Sequence, residues 1–80
     1  MKINAIKDLV ENYELSEIET LTNQLENGEV LSQAVGGEDE GEQLTHLLGA
    51  AWIVQQMQQN GTDFKTEIRN FSARVRGSIS

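Results

Sequence analysis

The stretch LTHLLGAAWIVQQM, residues 44–57, decides the fold. Leu44, Leu47, Leu48, Ala51, Val54 and Met57 recur at helical spacing, the period of one face of an α-helix. Ala50, Trp52 and Ile53 widen that stripe until the middle turns are apolar nearly all round, which implies burial against several neighbours. Asp39 is a good N-cap before it and Asn60-Gly61 a stop after it, so the longest helix is predicted over residues 39–60, at the centre of the fold. Gly49 costs up to about 1 kcal/mol relative to alanine in a helix interior, which predicts a close approach by another helix backbone.

On the N-terminal side, Ile3, Ile6, Leu9, Val10 and Tyr13 predict a helix over about residues 2–13, with Lys2, Asp8, Glu11 and Glu14 turned to solvent. Ser16-Glu17-Ile18-Glu19 has the form of a capping box, Ile18, Leu21 and Leu25 follow on one face, and Gly28 closes a second helix. The six residues VLSQAV, 30–35, alternate like a short strand, but a lone strand has nothing to pair with inside one chain. They are predicted as an extended connector able to pair across a dimer axis. After Gly61, Thr62 or Asp63 caps a fourth helix in which Phe64, Ile68, Phe71 and Val75 form the inward row, with Arg74 and Arg76 complementing the helix dipole before Gly77. Ser78-Ile79-Ser80 is expected to fray. The architecture is thus all-α: one domain over residues 1–80, four helices with the third central, and a short extended connector at about 30–35.

Composition removes several function classes. Without cysteine there is no disulfide framework, zinc ribbon or thiol nucleophile. No segment approaches the roughly 18 apolar residues that span a bilayer, and a soluble, cytoplasmic protein is expected. The net charge of −7 is unevenly spread: residues 1–43 hold eleven acids against Lys2 and Lys7, while residues 44–80 hold Lys65, Arg69, Arg74 and Arg76 against Asp63 and Glu67. Nucleic acid and anionic membrane need clustered cations, so neither is expected as a main partner. A basic protein is the easier electrostatic match.

The chemistry-bearing residues gather in GGEDEGEQLTH, residues 36–46. A phosphate loop fails there, because Glu42 and Gln43 stand where the lysine and hydroxyl residue belong and Glu38, Asp39 and Glu40 repel phosphate. A divalent-cation site using Glu38, Asp39, Glu42 and His46 is the alternative reading, although no twelve-residue calcium loop can be drawn and only one histidine exists. The plainer reading is a strong helix start: each first-turn carboxylate adds about 0.3–1 kcal/mol at low salt, and His46 lies beside Glu42 at i, i+4.

Trp52, Phe64 and Phe71 sit in apolar helical rows and are assigned to the core; with Leu48, Ala51 and Ile68 they are predicted to meet between the third and fourth helices. Arg69 and Arg76, seven apart, share a face suited to an acidic patch. No spacing marks a nucleophile with its base, so no enzyme activity and no cofactor are expected.

End to end, the acidic N-terminal half, GEDEGEQLTH, the alanine- and tryptophan-containing helix and the closing RVRGSIS resemble a family of small uncharacterised bacterial proteins, a domain of unknown function. The resemblance implies no assigned activity, cofactor or catalytic residue. The functional expectation is a non-catalytic interaction or accessory module that engages a protein partner through Glu38, Asp39, Glu40, Glu42, Arg69 and Arg76 and self-associates as a homodimer.

Overall fold

The wide apolar girth of the 44–57 stretch is satisfied by three neighbours. In a computed structural model, which describes residues 2–79 and the side chains of residues 2–77, the chain forms α1 (Ile3–Asn12), α2 (Leu15–Glu26), α3 (Glu40–Asn60) and α4 (Phe64–Ile79). α3 packs against each of the other three helices, and α1 also touches α4. Ile6 and Leu9 of α1, Ile18 and Leu21 of α2, Leu47, Ala50 and Ile53 of α3, and Ile68 of α4 make one buried cluster, joined by Val35 from the connector. The all-α, four-helix reading with a central third helix therefore holds.

Local chemistry sets the helix ends. The Asp39 Oδ1 accepts from the Glu42 N–H at 2.8 Å, as an N-cap should, and Gly61 ends α3 in the left-handed region at φ 62°. Asp63 caps α4 by accepting the Thr66 N–H at 2.9 Å. The second helix begins one residue before the expected Ser16 box. There the Glu14 N–H donates to Glu17 Oε1 at 3.0 Å, so the pairing that closes the helix start is Glu14 with Glu17, not Ser16 with Glu19. α4 continues through Gly77 to Ile79; of the predicted frayed tail, Ser80 lies outside the described residues.

Residues 30–35 form no strand, and no β-ladder occurs among the described residues. The connector is instead held to its own chain by side chains. Gln24 Oε1 accepts from the Ser32 N–H at 3.0 Å and its hydroxyl at 3.2 Å, and the Gln43 amide donates to the Val35 carbonyl at 3.1 Å. Val35 is buried and Leu31 packs on the core, while Val30 is 93% exposed.

Two packing expectations are corrected. A side chain at Gly49 would meet the Phe71 ring at 3.0 Å and Ile6 Cδ1 at 3.4 Å, so the glycine makes room for an aromatic ring rather than for a helix backbone. The spacing predicts Leu48 in the α3–α4 core, but it is 53% exposed, because the contacts of α4 fall on Gly49 and Trp52 instead. Trp52, Phe64, Phe71 and Ala51 are half-buried against the cluster, and Trp52 and Phe71 lie with ring centroids 5.9 Å apart.

The neighbours Leu47 and Leu48 thus separate core from surface. Leu47→Ala should cost about 2–5 kcal/mol of unfolding free energy, whereas Leu48→Ala should stay within about 0.5 kcal/mol in the monomer. Urea denaturation of the two variants at low protein concentration checks this, and equal losses would contradict the packing.

Candidate functional site

The start of α3 is where acids, glycines and the single histidine converge. Gly37 adopts φ 144°, and a side chain there would come within 2.9 Å of the Gln43 backbone nitrogen, so only glycine lets the chain turn from the connector into the helix. Beyond the turn, Glu42 Oε1 accepts the Glu38 N–H at 3.0 Å, reciprocating the Asp39 cap. The Lys2 ammonium lies 3.6 Å from Glu38 and 3.9 Å from Glu42. Such a solvent-facing contact contributes about 0–1 kcal/mol.

His46 is the centre of this region, and its surroundings differ from the expected pairing with Glu42. The imidazole is fully buried. Nε2 receives the backbone N–H of Lys2 at 2.9 Å, and Nδ1 lies 2.7 Å from the Gly36 carbonyl oxygen. A backbone N–H can only donate and a carbonyl can only accept, so the ring is neutral with its proton on Nδ1. One side chain therefore ties the start of α1 and the end of the connector to α3.

That arrangement bears on the cation reading of Glu38, Asp39, Glu42 and His46. Both imidazole nitrogens are occupied by backbone groups, Asp39 is spent on its cap, and no group of three or more His, Cys, Asp or Glu side chains that would hold a metal exists among the described residues. Glu38, Asp39 and Glu40 project into solvent. Arg69 and Arg76 lie exposed on α4, and among the described residues neither makes an ion pair with the acidic segment.

A second polar centre was missed by the sequence reading. Glu67 is buried at the α3–α4 corner, where its carboxylate accepts from the Thr62 hydroxyl, from the Asn70 amide at 3.1 Å and from the Asn60 amide at 3.5 Å. Its signal was legible: Glu67 stands three residues after Phe64 and four before Phe71, in a core-facing register. The Thr62 hydroxyl first, and the Asn70 amide next, hold the Glu67 carboxyl below its ordinary value. The Thr66 backbone N–H does the same for Asp63. Every partner of Glu67 is part of the corner itself, which makes it a joint rather than an open site.

Two outcomes follow from these centres. Removing the imidazole in His46→Ala strands the Lys2 N–H and the Gly36 carbonyl, and should destabilise the fold by about 1–3 kcal/mol, with hydrogen exchange at the Lys2 amide accelerated. Because the folded-state Glu67 is more acidic than the unfolded one, its contribution is complete above the ordinary glutamate value of about 4.3 and is lost as the pH falls through the lowered value. Thr62→Val should therefore flatten the acid limb of stability against pH, measured by urea midpoints from pH 7 downward. An unchanged limb would remove Thr62 from the account.

No helix among the described residues is long and apolar enough to cross a membrane. Neither the curated proteins nor the solved structures contain a match to the chain. Residues 1–80, the full length of the sequence, match a family of unknown function, DUF6952. The chain belongs to that family, DUF6952.

Proposed function

We propose that the protein is a non-catalytic interaction module whose acidic face engages a basic protein partner. The observation that carries this is the scarcity of cations beside the acids: some cap helices, as Asp39, Glu42 and Glu17 do, but few meet a positive charge. Residues 1–43 hold eleven carboxylates, and the ion pairs seen to them among the described residues are those of Lys2 with Glu38 and Glu42. Glu11, Glu19, Glu26, Glu29 and Glu40 are all exposed, spread over α1, α2, the connector and the start of α3. Exposed carboxylates without a partner cation raise the negative potential around the fold, and such a field steers and orients a cationic surface.

Catalysis has no support in the same geometry. The one histidine is consumed by two backbone groups, and the buried carboxylate Glu67 is enclosed by its hydrogen-bond donors. Neither faces a reacting group.

The test is affinity capture from the native cell with the wild-type chain and with a variant carrying Glu26→Lys, Glu29→Lys and Glu40→Lys, substitutions at exposed positions that leave the core untouched. A basic protein retained by the wild type, released as salt is raised past the point where the Debye length falls below about 8 Å, and lost with the variant is the expected result. Capture indifferent to the three reversals would overturn the reading.

A further inference from the structure

From Gln43 to Asn60, α3 carries no Asp, Glu, Lys or Arg, and its single titratable residue, His46, is buried. One face of this uncharged stretch is left open. Leu48, 53% exposed, stands at its centre, with half-buried Leu44, Ala51 and Trp52 beside it and exposed Thr45 and Gln55 along the same row. The other helices lie to either side: Gly49 and Trp52 meet Phe71 of α4 on one flank, while Glu40 and Gln43 border a groove with Leu25 and the connector on the other. Among the described residues, the other large apolar side chains that are exposed, Ile3 and Val30, are single residues on α1 and the connector.

We propose that this face is covered by a second copy of the chain, with the two α3 helices parallel about a twofold axis running along them. Charge selects both the occupant and the orientation. A basic partner is drawn to the acids of α1, α2 and the connector, not to a face without charge, whereas two chains of net charge −7 meet with least repulsion where neither carries any. At the edge of the face stands Arg74, its guanidinium carbon 5.3 Å from the centre of the Trp52 ring.

On the opposite flank, α2 runs antiparallel to α3, since Leu15 shares a groove with Gln58 and Leu25 shares one with Gln43. Glu19 is therefore about level with Trp52, and it projects from the side of α2 away from Gln24, which holds the connector. An axis along α3 preserves that level and exchanges the flanks. It brings Arg74 of each copy to Glu19 of the other, two pairs per dimer. The antiparallel alternative sets α2 acids against α2 acids.

The inference does not rest on the basic-partner reading, and its test separates the two. Sedimentation equilibrium from micromolar to millimolar chain should show the mass rising from 8.9 kDa toward twice that value. Leu48→Glu should return the monomer mass with helical content and melting temperature kept, while leaving in place every acid that a basic partner needs. Arg74→Glu and Glu19→Arg should each weaken association by about tenfold or more, and mixing the two variants should restore it, because both cross-pairs are then complementary again. A monomer throughout, a dimer indifferent to Leu48→Glu, or no recovery on mixing overturns the proposal.

Discussion

The hydrogen bonds of one buried imidazole hold this fold in register. His46 projects from the second turn of α3 and fixes two pieces of chain that are distant in sequence, receiving the Lys2 N–H and donating to the Gly36 carbonyl. Both backbone groups lie at the ends of elements: Lys2 precedes the first turn of α1 and Gly36 follows the connector. Helix starts leave N–H groups without intrahelical partners, and a connector leaves carbonyls likewise. A neutral histidine is the one side chain that offers a ring acceptor and a ring donor in a rigid, flat body that can also be buried among leucines. With α1 anchored at that point, Ile6 and Leu9 join Leu47 and Ile53 in one buried cluster, and the core closes.

Much of this was legible from spacing alone. The helices, the Asp39 and Asp63 caps and the Gly61 stop follow from periodicity and from the chemistry of unsatisfied helix ends, which act over a few residues. What escaped depends on which neighbour a side chain meets across the fold. Leu47 and Leu48 are indistinguishable in a sequence, and only the angular position of α4 around α3 decides that one is core and the other surface. The same holds for Glu67, whose core-facing register was readable but whose hydrogen-bond donors come from a corner that forms only when α3 stops at Asn60.

The candidate site shows the same division. That residues 36–46 begin a helix was readable, since Gly37, Asp39 and Glu42 act on backbone within a turn of themselves. The role of His46 was not, because its partner Lys2 lies 44 residues away. The i, i+4 rule pairs His46 with Glu42 on an exposed helix face, and burial of the ring overrides it.

The uneven charge of the chain now has a structural meaning. Of the two acids in the C-terminal half, Asp63 is engaged as a helix cap and Glu67 is turned inward, so the exposed charge of α4 is entirely basic. Of the acids of the N-terminal half, Asp39, Glu42 and Glu17 are engaged at helix starts, while Glu11, Glu19, Glu26 and Glu29 face water. Between these two surfaces runs α3, which from Gln43 onward is uncharged because it is the element every other helix must bury against. Its role as the core and its emptiness of charge are one constraint. Three helices cover only part of its girth, and the uncovered remainder is an apolar seam between an acidic and a basic wall. A seam of that kind matches a copy of itself turned about its own length, since that rotation sets each wall against its opposite.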